Sequence, residues 1–311
     1  MKAAQINAYG DPSVVEINEI NTPQVGEGQV LVEVHASSLN PFDSKLRAGD
    51  MKEMISLQFP VTLGGDIAGV VTQVSEGVTS VAVGDKVYGQ ANVAAGSSGA
   101  FAEYAATAAK YIAKAPANLD FEQAASLPLV GVSALQALKH HLNLQDGQKI
   151  FIHGGAGGIG TVAIQIASHL GAYVATTATG DNIEYVKQLG ADEVIDYTTQ
   201  DFAELLSEYD AVFDTVGGDD FSKSFTVLKQ GGAAVSMIAQ PDEAKASERG
   251  ITAMMQSTHV TTDALNELTM LVENGVVTPQ IGKVFPFAQI REAFEARETG
   301  DIRGKVVIKV A

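Results

Sequence analysis

The stretch Gly155-Ala-Gly157-Gly-Ile-Gly160 fits G-x-G-x-x-G, inside "HGGAGGIG", where five of the seven residues from Gly154 to Gly160 are glycine. The glycines of that pattern serve a tight turn, close backbone approach to a pyrophosphate, and close packing of helix on strand. Gly155, Gly157, Gly158, Ile159 and Gly160 are the candidate diphosphate contacts. A helix that starts there offers free amides and the positive end of its dipole. About 20 residues on, sites that prefer NAD place an acid to hold the ribose hydroxyls. Here the run "YVATTA" ends at Thr177 and Ala178, with Thr179 next and Asp181 and Asn182 beyond. No acid ends the strand to repel a 2′-phosphate, and Thr177 and Thr179 are two hydroxyls that could donate to one. The reading is NADPH.

Those residues need a strand before them and a helix after. "KIFIH" (149–153) supplies the strand, and Ile159, Val162, Ala163, Ile166, Ala167 and Leu170 fall on one helical face. From about residue 120 short apolar, β-branched runs alternate with helical segments: "YVATTA" (173–178), "EVIDY" (193–197), "AVFDTV" (211–216) and "AAVSMI" (233–238). A helix after each strand predicts parallel strands in a doubly wound α/β sheet. "ITAMMQSTHV" (251–260) is a candidate sixth strand. The first third reads as β instead. Val30, Val32 and Val34 alternate with Leu31, Glu33 and His35, and "DIAGVVTQV" (66–74) and "KVYG" (86–89) are further strands. "AAGSSGA" (94–100) reads either as a solvated linker or as a mobile lid. Near the end, Leu265, Leu268 and Val272 mark a helix capped at Gly275, a second helix follows in "FAQIREAFEARETG", and "GKVVIKV" closes with a strand. The expected division is a discontinuous domain, 1–119 with 260–311, around a dinucleotide-binding domain, 120–259.

Composition narrows the partners. In 311 residues, 46% are hydrophobic and 18% charged, as in globular proteins, and 20 Lys and Arg against 37 Asp and Glu give a charge of −17. Nucleic acid and anionic membrane surfaces are unfavourable partners for such a chain. There are no cysteines, which excludes disulfides, thiolate catalysis and Cys-bound zinc. "MKAAQINAYG" lacks the apolar core of a signal peptide, and no run reaches the roughly 18 apolar residues of a membrane span. The expected setting is cytoplasmic.

The chain resembles the zinc-free quinone oxidoreductase (zeta-crystallin-like) branch of the medium-chain dehydrogenase/reductase superfamily over nearly its whole length. The shared blocks include "LNPFDSKLRAG" (39–49), "LGGDIAGVV" (63–71), "VGDKVYG" (83–89), "GAFAEYAA" (99–106), "LPLVGVSALQAL" (127–138), "LGADEVIDY" (189–197), "VFDTVGG" (212–218) and "GKVVIKV" (304–310). The resemblance implies a GroES-like β-rich catalytic domain plus a Rossmann domain, with NADPH in a cleft between them. It also implies hydride transfer to quinones or α,β-unsaturated carbonyls, and a homodimer. In that pattern Ser133 is the hydroxyl beside the nicotinamide and Tyr197 a contact of the 2′-phosphate. Val216 and Gly217 line the nucleotide, and Lys305 reaches the pyrophosphate.

Departures from the zinc-dependent relatives carry as much information. Asn40 stands where they have a Cys ligand and Gly65 where they have His, so no metal is expected. Something else must then stabilise negative charge on the acceptor oxygen. Asn40 as amide donor and Lys45 as cation are the catalytic candidates in "LNPFDSK". Asn40 reads equally as the cap of a turn before Pro41, and Lys45 as an exposed helix lysine. Asp43 and Arg47 read as a local charge pair, and Asp66 as structural. Two alternatives stay open: an enone or alkenal reductase with little quinone activity, and a non-catalytic NADPH-binding sensor or structural protein.

Overall fold

The computed structural model describes residues 1–300 and 302–311. The chain divides into two compact units: Met1–Leu129 with Val260–Asn274 and Pro279–Ala311, and Val130–His259 with Gly275–Thr278. The first unit begins with β1 (Lys2–Ile6), β2 (Glu16–Glu19), β3 (Gln29–Leu39), α1 (Pro41–Ala48), β4 (Val61–Thr62) and β5 (Asp66–Val74). It continues through β6 (Lys86–Gln90), β7 (Tyr104–Ala108), β8 (Ile112–Lys114) and α2 (Phe121–Ala125), and α3 (Pro128–Leu135) carries the chain into the second unit. The break lies after Leu129 where 119 was expected, because α2 buries Ala124 and Ala125 and packs on β3 and β5.

The second unit alternates strand and helix: β9 (Lys149–His153), α4 (Gly158–His169), β10 (Tyr173–Ala178), α5 (Asn182–Gln188), β11 (Glu193–Asp196) and α6 (Phe202–Leu205). Then come β12 (Tyr209–Asp214), α7 (Asp219–Lys223), β13 (Leu228–Ser236), α8 (Glu243–Arg249) and β14 (Thr252–Met255). All five strand pairings are parallel and the order is β11-β10-β9-β12-β13-β14. That is the dinucleotide-binding order, whose direction reverses between β9 and β12 and opens a crevice at their carboxyl ends. Ile150, Phe151 and Ile152 of β9 are fully buried, as a central strand covered on both faces requires. The sixth strand is shorter than the run that suggested it, ending at Met255.

The chain then returns to the first unit as α9 (Thr262–Glu273), β15 (Ile281–Pro286), α10 (Ile290–Glu298) and β16 (Lys305–Lys309). β16 pairs antiparallel with β3, setting Val306 opposite Leu39, and extends the sheet β15-β16-β3-β5-β6-β8. Leu39, Leu46, Leu63, Phe101, Phe294 and Ile308 fill one core of this unit, and Val30, Val32, Val34, Ile67 and Ile112 another. The Gly/Ser-rich stretch is neither a free linker nor a loose lid. Gly99 N–H donates to Ala91 O, Ala100 N–H to Gly64 O, and Ser98 N–H to Ala106 O. No helix among the described residues is long and apolar enough to cross a membrane.

Candidate functional site

The carboxyl edge of the parallel sheet gathers most of the residues singled out in the sequence. β9 ends at His153, and the next residue, Gly154, donates its N–H to Thr177 Oγ1 at 2.9 Å. Gly155 N–H reaches Thr177 O at 3.1 Å. A methyl carbon on Gly155 would lie 2.2 Å from Thr176 Oγ1, and one on Gly160 would lie 2.2 Å from Gly154 O. Those two glycines are therefore demanded by the fold itself. Gly157 is different: it is exposed, and an added carbon would meet nothing nearer than Gly154 O at 3.4 Å. Packing does not explain its bareness, and the space beside it is open. Gly157 is also the N-cap of α4 and supplies no side chain to the first turn. The amides of Gly158, Ile159 and Gly160 then face outward without a capping group. This cradle fits a pyrophosphate.

The neighbouring strand ends differ in part from expectation. Thr177 is 2% exposed and its hydroxyl holds the glycine turn from below, so it supports the turn where it was expected to meet a phosphate. Thr179 hydrogen-bonds Asp196, at the end of β11. Hydrogen bonds from the hydroxyl and amide of Thr198, with Thr179 adding, keep the Asp196 carboxyl below the usual carboxylate range. An acid thus stands one strand over from where it was sought. Tyr197 follows it and is 59% exposed.

Past β12, Asp214 accepts the amides of Val216 and Gly217 at 3.0 Å through Oδ1 and the Ser236 hydroxyl at 2.6 Å through Oδ2. Ser236 Oγ in turn accepts the amides of Ile238 and Ala239. One buried carboxylate therefore pins the loops after β12 and β13 and presents Val216, which is 51% exposed. Burial pushes Asp214 up, but the neighbouring His153 Nδ1 at 3.5 Å and hydrogen bonds from Ser236 and the two amides outweigh it and hold the carboxyl below its ordinary value. The sequence reading missed Asp214; an acid closing an apolar strand before "TVGG" was its signal. Ser133 is fully buried, its hydroxyl 2.7 Å from Thr258 Oγ1, and Gln256 Nε2 donates to its carbonyl at 3.0 Å.

The first unit holds a second polar centre, which the sequence did not reveal as a whole. Asp66, fully buried at the start of β5, accepts Ser38 Oγ at 3.0 Å and Asn40 Nδ2 at 2.8 Å on Oδ2. Its Oδ1 accepts Gln90 Nε2 and Leu129 N–H, both at 3.1 Å. Lys305 was expected at the pyrophosphate; here it is only 5% exposed and its Nζ donates to Leu39 O and Asn40 Oδ1, 3.6 Å from Asp66 Oδ2. The pairing of β16 with β3 fixes that placement by setting Lys305 beside the end of β3. Burial pulls Lys305 below an ordinary lysine, against the opposing pull of Asp66 and Asp43.

Asn40 thus gives one amide hydrogen to Asp66 and its carbonyl to Lys305, which fixes the orientation of its side chain. The helix cap comes from Asp43, whose Oδ2 accepts the Asn40 N–H at 2.8 Å. Burial raises the Asp43 carboxyl to about 7; the Asn40 amide and Lys305 oppose the rise and Asp66 adds to it. Arg47 does not pair with Asp43: it reaches Glu298 at 2.9 Å and lies over the Phe294 ring. Lys45 is exposed on α1, whose buried face carries Asp43, Leu46 and Arg47. No group of three His, Cys, Asp or Glu among the described residues has metal-binding geometry. With an ammonium lodged between Asn40 and Asp66, this centre does not fit a zinc ion.

Comparison with known proteins agrees with both units. Residues 26–117 match the alcohol dehydrogenase GroES-like domain, and residues 189–308 the zinc-binding dehydrogenase family. The chain is 36% identical over 99% of its length to the chloroplastic NADPH-dependent alkenal/one oxidoreductase of Arabidopsis thaliana, covering 79% of that protein. The quinone oxidoreductase of Coxiella burnetii superposes with a TM-score of 0.90 at 35% identity, over 100% of this chain and 99% of that one. The Escherichia coli quinone oxidoreductase complexed with NADPH gives 0.90 at 26% identity, over the full length of both.

Proposed function

The chain belongs to the zinc-free quinone oxidoreductase branch of the medium-chain dehydrogenase/reductase superfamily, and on that premise we propose that it is an NADPH-dependent oxidoreductase transferring hydride to quinones or α,β-unsaturated carbonyls. The observation that carries the reading is Gly157, bare and open at an uncapped helix start on the switch-point edge of the parallel sheet. Bound NADPH supplies a hydride, that is, two electrons with one proton. We assign the amides of Gly158, Ile159 and Gly160 to the pyrophosphate, with Thr177 holding the turn beneath them. Thr179 and Tyr197 flank the 2′-phosphate, Val216 and Gly217 line the nucleotide, and Ser133 backs the nicotinamide. In the first unit Lys45 is the exposed cation for charge developing on the acceptor, and Asn40 keeps Lys305 and Asp66 in register.

The proposed assembly is a homodimer. β14 is the outer strand of the parallel sheet, and among the described residues nothing pairs with its second edge. Light scattering on the eluting protein should give twice the chain mass.

The test of function is consumption of NADPH and NADH against quinones, enones, aldehydes and alcohols, with cofactor binding titrated alongside. Turnover of quinones and enones with NADPH preferred is expected. Tight NADPH binding with no acceptor consumed would make the protein a sensor, and turnover confined to aldehydes or alcohols would overturn the acceptor assignment.

A further inference from the structure

The bare face of Gly65 in the first unit is lined by polar side chains. A methyl carbon placed on Gly65 would stand 3.7 Å from Asn92 Nδ2, 3.8 Å from Gln90 Nε2 and 4.0 Å from Asp43 Oδ1. Each of these side chains has one polar atom anchored to the scaffold and hydrogen-bonding capacity left over. Asn92 Oδ1 accepts Ala94 N–H at 2.9 Å, and its Nδ2 has no partner among the described residues. Gln90 Nε2 gives one hydrogen to Asp66 Oδ1 and keeps the other. Asp43 spends Oδ2 on the Asn40 N–H, leaving Oδ1 toward Gly65. Gln90 and Asn92 are half-buried, while Asp43 is 2% exposed. Two amide donors and one carboxyl thus surround the bare face of Gly65, and an oxygen atom lying against that face would meet all three.

We propose that this face is the seat of the acceptor's carbonyl oxygen and that Asp43 gives that oxygen its proton, an assignment that rests on the proposed hydride transfer to enones and quinones. When hydride adds to the far carbon of a C=C–C=O system, an electron pair moves onto the carbonyl oxygen. The O–H bond of the Asp43 carboxyl breaks as the O–H bond of the enol forms, and water arriving past Gln90 and Asn92 returns a proton to Asp43. The acceptor gains two electrons and two hydrogens; the reduced cofactor loses the hydride. An acid with this duty must be protonated near neutrality, and the raised pKa of about 7 for Asp43 meets that condition. The charged groups facing it are Asp66 on β5 and Lys305 on β16, with Arg297 on α10 acting on Lys305.

Two variants and one ligand test this. Gly65→Ala fills the seat at ordinary contact distances, and the backbone there is not left-handed, so the fold should tolerate it. It should lower kcat/KM for enones and quinones at least tenfold and abolish binding of a non-reducible saturated ketone such as cyclohexanone, with NADPH affinity and Tm unchanged. Asp43→Asn keeps an acceptor for the Asn40 amide but has no acid. Its kcat should fall at least tenfold, and the wild-type decline in kcat/KM above about pH 7 should disappear. Wild-type rates and ketone binding in Gly65→Ala, or an unaltered pH profile in Asp43→Asn, would overturn the seat while leaving the proposed function standing. A wild-type protein that oxidises NADPH with none of the quinones or enones overturns both.

Discussion

Thr177 and Asp43 show how a single side chain can be misjudged when only its neighbours in sequence are known. Thr177 sits at the strand end where cofactor choice is made, yet the residue is 2% exposed and its hydroxyl serves Gly154. Thr177→Val keeps the shape and leaves that amide without a partner, which costs about 1–3 kcal/mol. Its Tm should fall and its NADPH Kd rise about tenfold, while Thr177→Ser should stay near wild type on both measures. Asp43 makes a prediction of opposite character. Its folded pKa of about 7 lies above the ordinary 3.8, so the folded state binds more protons than the unfolded one between those values. Stability from this group is fully present below about pH 4 and is lost as pH rises through 7. Asp43→Asn has no such loss, so its Tm relative to wild type should climb from pH 5 to pH 8; a constant difference would show that Asp43 is ionised in the fold. The roles of the glycines were legible because each is met within a few residues. The role of Lys305 was not, because its partner Asn40 lies 265 positions away and only the strand pairing joins them.

At the scale of elements, β5, β9 and β10 run over the residues that their apolar patterns marked, because buried strands leave a compositional trace. Less legible were strands that begin in polar residues. β13 starts at Leu228 and runs through Lys229, Gln230 and two glycines before its apolar stretch, a segment that reads as a turn. The junction of β3, α1, β5 and β16 was invisible, since a lysine among valines in "GKVVIKV" gives no hint of which strand lies beside it. That junction carries the next prediction. Removing the ammonium leaves Asp66 and Asn40 Oδ1 buried without their cation, and breaking a buried pair in this way costs about 3–5 kcal/mol. Lys305→Met should therefore lower Tm markedly while NADPH affinity in the surviving folded protein stays at wild type. A large loss of NADPH affinity with Tm unchanged would return Lys305 to the pyrophosphate.

The whole molecule sets the terms on which an anionic cofactor arrives. A chain of net charge −17 repels a ligand that is itself several-fold negative, so on the proposed assignment its binding rests on local groups: three amides and a helix dipole at Gly157. Proteins that hold phosphates with a basic surface lose association rate as salt is added, because attraction is screened. Here long-range repulsion is what salt screens, and the Debye length shrinks from about 30 Å at 0.01 M to about 10 Å at 0.1 M. The short-range amide contacts are much less affected. The association rate constant of NADPH, measured by stopped-flow fluorescence, should rise between about 0.01 and 0.15 M salt, with the dissociation rate nearly constant. A falling association rate would mean that a cationic approach to the site outweighs the acidic surface. Charge removal supplies the complementary arm: replacing exposed acids remote from the sheet edge by neutral residues should raise the same rate at low salt and flatten its salt dependence.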